Sequence, residues 1–158
     1  MSANLSPLGT AALDYAVKGI AVFPVTAGQK KPPLCAHGLL DATTDEKQIR
    51  QWWTRWPDAN IAVNCKMSRI VVIDVDIPGH EHKKDGRPTL AALEAELGKL
   101  PPTVEAVTGA GGKHLIFTAP AGVEFRGSLG PGLDIKHDGY IVVAPSTTEG
   151  PYRWVTPL

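Results

Sequence analysis

A chain of 158 residues, 43% hydrophobic and 20% charged, fits one globular domain with a real core, and a second domain is not expected within residues 1–158. Sixteen Lys and Arg balance sixteen Asp and Glu, which excludes a global basic field, so any polyanion binding has to come from a local patch. Cys35 and Cys65 stand alone, without a Cys-x-x-Cys pair, which excludes a disulfide framework and a zinc knuckle and points to a reducing cytoplasm, and no apolar run approaches the roughly 18 residues of a membrane span.

Gly (16) and Pro (14) punctuate the chain, and the periodic segments between them are short, the texture of an α+β domain. "SPLGTAALDYAVKG" predicts a first helix with Ser6 as N-cap, Pro7 at the first position and a stop at Gly19. "IAVFPV" reads as a short strand running into a loop at Lys30, Lys31, Pro32 and Pro33. "TTDEKQIRQWWTRWP" offers a capping box from Thr43 to Glu46 and a helix ended by Pro57. Ile49, Trp52, Trp53 and Trp56 recur there at helical spacing. That is the spacing of a core-facing stripe, which is favoured over a base-stacking platform.

"NIAVNC" and "RIVVIDVDI" read as two adjacent strands joined by Lys66, Met67 and Ser68. "PGHEHKKDGRP" is a polar loop, in which His80, Glu81 and His82 are better read as solvated than as metal ligands. "TLAALEAELGKL" predicts a helix capped by Thr89 and stopped near Gly98, followed by strands at "VEAVT" and, after "GAGG", at "KHLIFTA". "LDIKH" and "YIVVA" flank Asp138 and Gly139, the composition of a two-residue hairpin turn.

The chemistry concentrates where strands are interrupted by polar residues. Side chains alternate along a strand, so Asp74 and Asp76 share a face, with Cα atoms about 6.5–7 Å apart, within reach of one divalent ion or a pair of ions. Buried and unpaired, two like charges would be costly, and a hard cation removes the cost; a frayed, solvated strand end explains the pair equally well. In "GGKHLIFTA", which carries His114, the Gly-rich approach lets backbone N–H groups come close to a ligand. Asp134 and Lys136 share a face in "GLDIKH". If these strands lie side by side, three carboxylates serve divalent metal, and His114 and Lys136 serve the phosphates it bridges. Lys30, Lys31, Lys113 and Arg126 are further candidates for phosphate or template contacts.

The ordered set "KKPPLCAHGLLDATTDEKQIRQWWTRWPDANIAV", "VVIDVDI", "TGAGGKHLIF" and "GPGLDIKHDGYIVVAPS" resembles the bifunctional primase–polymerase domain of the archaeo-eukaryotic primase superfamily, found in phages, prophages and plasmids. The resemblance spans nearly the whole chain. It implies metal-binding acids at Asp74, Asp76 and Asp134, a nucleotide-contacting histidine at His114 and a phosphate contact at Lys136, where relatives often carry Arg. It also implies an RNA-recognition-like core and two Mg²⁺ or Mn²⁺ ions. "NCKMSRI" lacks the glycine-bearing turn expected before the acidic strand.

The expected fold is therefore α+β, a mainly antiparallel or mixed sheet with the acids on one open face and helices behind. The expected function is template-directed primer synthesis and DNA extension from nucleoside triphosphates on single-stranded DNA, with a helicase as partner. The alternatives are a non-catalytic nucleic-acid or nucleotide-binding module and a metal-dependent nuclease. The chain is either an excised N-terminal domain of a longer replication protein or a small stand-alone protein.

Overall fold

The computed structural model describes residues 4–79 and 84–158. Helix α1 (Pro7–Val17) starts where the Ser-Pro pair predicts: Gly9 N donates to Ser6 Oγ at 3.1 Å, and Pro7 sits where an amide hydrogen would have had no partner. Helices α2 (Glu46–Arg55) and α3 (Gly86–Leu97) use caps other than those expected. Asp45, not Thr43, accepts from Lys47 N at the start of α2. Thr43 is instead drawn into a bridge with Val22, closed by two backbone hydrogen bonds of 3.0 Å. Asp85, not Thr89, caps α3 by accepting from Arg87 N at 3.0 Å. The helix can begin ahead of Pro88 because the first four amides of a helix have no intrahelical acceptor to lose. Gly98 ends it in the left-handed region, at φ 101°.

The strands are β1 (Val22–Val25), β2 (Asn60–Asn64), β3 (Ile70–Val75), β4 (Val104–Val107), β5 (Lys113–Thr118), β6 (Ser128–Gly130), β7 (Leu133–Lys136), β8 (Tyr140–Val143) and β9 (Arg153–Thr156). They form two sheets, β1-β2-β8 and β6-β7-β3-β5-β4-β9, and the strand pairs are antiparallel. The α+β class and antiparallel pairing agree with the sequence reading; the single sheet does not.

Two expected pairings are overturned by this division. β2 and β3 are neighbours in sequence but lie in different sheets, and so are β7 and β8, so the Asp138-Gly139 turn does not close a hairpin. The chain reverses at both places, yet the strands on either side of each reversal pair elsewhere: β2 pairs with β1 and β8, and β7 pairs with the distant β3 and with β6, which immediately precedes it. The two crossings are held together. Cys65 N donates to Gly139 O at 3.2 Å, and Lys66 Nζ lies 3.6 Å from Asp138 Oδ1. The first crossing closes through Arg69, whose φ of 57° supplies the left-handed residue that a glycine was expected to supply.

The core gathers α1, α2, the whole three-stranded sheet, and Ile70, Val72 and Ile116 of the six-stranded sheet. Strands β1 and β2 are buried at every position, as strands covered on both faces must be. Trp53 is fully buried and donates its Nε1 hydrogen to Ala59 O at 3.0 Å; Trp52 packs edge-on against it, with ring centroids 6.4 Å apart. Trp56 is half-buried under the Arg55 guanidinium, 4.6 Å from the ring centroid. The helical Trp stripe is therefore packing, and its one partly open ring is already covered by a cation. Helix α3 contacts β3, β6 and β7.

Candidate active site

One face of β3 changes character along its length, and this resolves the mixed pattern of "RIVVIDVDI". Ile70 and Val72 point into the core, and two residues further on the same face carries Asp74. Register then builds a row across the sheet. Asp74 is directly opposite His114 on β5 and directly opposite Asp134 on β7, so all three side chains share one face. Lys136 stands opposite Val72, on the same face one step along. The juxtaposition expected from three interrupted strands is thus produced by pairing of β7, β3 and β5.

Asp76 lies just past the end of β3 and is fixed by backbone contacts that no spacing rule signals. Asp76 N donates to Gly132 O at 2.8 Å, and Gly86 N donates to Asp76 O at 2.8 Å. Gly86 and Gly132 touch so closely that a Cβ on Gly86 would lie 2.0 Å from Gly132 O. The start of α3 and the turn before β7 therefore clamp the second acid from both sides. Gly112 serves the other edge of β3 in the same way, since a Cβ there would lie 2.4 Å from Val75 O. The glycines before His114 are thus needed for close packing of strands.

His114 is buried, with a 7% exposed side chain, and its Nε2 lies 3.6 Å from Oδ1 of Asp74, which is 16% exposed. When protonated, the imidazole forms an ion pair with that carboxylate. The buried Tyr152 also packs against it, with ring centroids 6.2 Å apart.

A cavity of about 410 Å³ opens between the two sheets. Asp74, Asp76, His114 and Lys136 line it from the six-stranded side. Tyr140, Ile141 and Val142 of β8 line it from the three-stranded side, a short 3-10 helix (Gly38–Asp41) adds Leu39, and loops add Lys30, Thr108 and Tyr152. One wall is charged and the other largely apolar, the lining expected of a site for an amphipathic small molecule. Asp134 stands in the acidic row without forming part of that lining.

Three candidate cations fall elsewhere. Lys113 follows the opposite face of β5 from His114 and pairs with Glu105 at 3.3 Å. Arg126 and Lys31 are exposed and do not line the cavity. His80, Glu81 and His82 lie outside the described residues. Tyr140, Tyr152 and Thr108 carry no signal in the sequence: the alternation around Tyr140 indicates only a strand beside a turn, and nothing in the spacing of "PYRW" indicates that its tyrosine returns to the seam.

The carboxylates fit a hard divalent cation in kind, being oxygen donors, and the register brings two of them to directly opposed positions. As the side chains stand, no group of three or more His, Cys, Asp or Glu among the described residues is gathered closely enough to hold a metal ion.

Fold and site together define an α+β domain whose polar residues are collected on a seam between two antiparallel sheets, beside a cavity of small-molecule size. The chain belongs to the family of bifunctional DNA primase/polymerase N-terminal domains, whose pattern matches residues 12–158. Membership supports a primase/polymerase role in DNA replication. A comparison with curated proteins gave no match. Among the described residues no helix is long and apolar enough to cross a membrane.

Proposed function

We propose that the seam cavity binds a nucleoside triphosphate and that the domain joins it to a primer strand, or to an initiating nucleotide, on a single-stranded DNA template. The observation that carries this reading is the row Asp134–Asp74–His114, with Asp76 and Lys136 on the same face, opposite an apolar wall. In the reaction, a hydroxyl oxygen bonds to the α-phosphorus and the bond to pyrophosphate breaks. Asp74, Asp76 and Asp134 would hold two Mg²⁺ or Mn²⁺ ions, which when bound supply hydroxyl activation and neutralise charge on the leaving group.

The chain's own residues contribute position and charge. Lys136 offers an ammonium to the phosphates, at the core-ward end of the acidic row. His114, buried and seated between Asp74 and Tyr152, offers an imidazole N–H to a phosphate oxygen from a ring that packing keeps in place. Tyr140 and Ile141 give the sugar and base an apolar surface. The acids also act as a set: without counter-charge they repel one another, so the site favours a ligand that arrives with cations. A helicase, in the same chain or as a separate protein, would supply the single-stranded template.

The test is incubation with labelled nucleoside triphosphates, Mn²⁺ and a single-stranded template. Template-dependent extension is the expected result. Binding without extension would make the domain a non-catalytic module, and shortening of the template would make it a nuclease.

A further inference from the structure

The three-stranded sheet contributes more to the cavity than an apolar wall. Lys30 reaches the lining from the loop after β1, and it is the half-buried member of a Lys-Lys pair whose second member, Lys31, is exposed and outside the lining. That loop is anchored at several points. Thr26 N and Oγ1 both donate to Pro32 O, at 3.0 and 2.9 Å, which closes the loop on itself. Tyr140 Oη donates to Lys30 O at 2.9 Å, and Asn60 Nδ2 donates to Gln29 O at 2.9 Å. Asn60 is almost fully buried within β2 and also donates to Thr147 O at 2.8 Å, so one side chain ties this loop to the segment leading into Tyr152. Tyr140 is steadied in turn by Phe23, edge-on with ring centroids 5.1 Å apart. A lysine needs no such backbone fixation to be a solvated surface charge. Here the loop brings one lysine of the pair to the lining of a cavity that already holds Lys136 on the opposite wall.

We infer that Lys30 is a second phosphate-binding cation of this cavity, so that the phosphate chain of a nucleotide is held between Lys136 of one sheet and Lys30 of the other. The inference rests on the nucleotide reading of the site and adds to it that the ligand spans the seam. Two point charges on opposite walls suit an extended polyphosphate better than a single phosphate, so Lys30 acts as a specificity determinant for phosphate number. Asn60 and Tyr140 are positioning residues for it.

The experiment is calorimetric titration of the intact chain with a deoxynucleoside triphosphate, the matching diphosphate and the unphosphorylated nucleoside, in Mn²⁺ buffer, for wild type, Lys30→Ala, Lys30→Arg and Lys31→Ala. Loss of one charge-assisted contact corresponds to a weakening of about ten- to a hundredfold. Lys30→Ala should weaken triphosphate binding by that factor, lower the triphosphate-to-diphosphate preference and leave nucleoside binding unchanged. Lys30→Arg should restore most of the affinity, and Lys31→Ala should match wild type. Wild-type triphosphate affinity in Lys30→Ala, or an equal loss for all three ligands together with a lower melting temperature, would overturn the inference while leaving the nucleotide reading intact. Failure of the wild-type chain to bind any of the three would overturn both.

Discussion

Replacing Asp134 with Asn tests the acidic row through stability and function at once. Asp134 and Asp74 are directly opposed on neighbouring strands, which places their Cβ atoms about 4.5–5.5 Å apart. Two unit charges at that separation repel by about 3 kcal/mol at an effective dielectric constant of about 20, and by less than about 1 kcal/mol in bulk water. Both residues are half-buried, so a value of about 1–2 kcal/mol is expected. Asn keeps the size of Asp and leaves the contact between Asp74 and His114 in place. Asp134→Asn should therefore raise the melting temperature by about 2–8 °C in chelator-treated, low-salt buffer at pH 7. The same variant should lose template-directed incorporation. Circular dichroism melts and a primer-extension gel decide the matter. A fall in melting temperature at pH 7 would refute the repulsion argument and assign Asp134 to a stabilising network, and wild-type extension would remove it from the proposed site.

Arg69→Gly relieves a left-handed residue, at φ 57°, that costs an L-amino acid about 1–2 kcal/mol; after the extra chain entropy of glycine, a net gain of about 1 kcal/mol is expected, read as a higher urea midpoint with unchanged slope. Tyr15 and Cys65 are both pushed up to about 12 by burial, so the folded chain holds protons that the unfolded chain releases from about pH 9 upward. Their stabilisation is complete below about pH 9 and is lost as pH rises toward 12, by up to about 1.4 kcal/mol per pH unit for each group; a flat urea midpoint from pH 8 to 11 would contradict it. His114→Ala should weaken triphosphate binding more than Mn²⁺ binding, tested by titrating each separately, and the reverse order would make the imidazole a metal partner.

The elements were more legible in the sequence than their assembly. Helix α1 followed directly from Ser6 and Pro7, because capping is settled within one turn of chain. At α2 and α3 the acidic residues Asp45 and Asp85 took the caps from Thr43 and Thr89, a competition that composition alone leaves open. The larger errors were long-range. Alternation shows that "LDIKH" and "YIVVA" are strands and that Asp138-Gly139 reverses the chain, but period two is the same for any partner. Burial decided instead: β8 was required to complete a sheet buried on both sides, and β7 was required beside β3. For the candidate site, Asp74, Asp76, His114 and Lys136 were readable because polar residues interrupting apolar strands are conspicuous, and the structure brings them to one cavity. Lys113 was misplaced by proximity in sequence, since the neighbour of a strand residue faces the other way. Tyr152 and the Gly86–Gly132 clamp were invisible because they depend on which loops meet.

The chain passes between the two sheets three times, after β2, after β7 and after β8. The charged wall of the cavity is consequently drawn from one continuous stretch, β3 to β7, and the apolar wall from the segments on either side of it. A cut between β3 and β7 leaves acids of the row on both fragments, and any cut between Lys30 and Tyr140 divides the apolar wall. The charged wall is nested within the apolar one, so the two could not have been assembled by joining two ready-made modules end to end. Whatever ligand the seam accepts, its two sides are inherited together, and a change on one is read against the other in every copy of the gene.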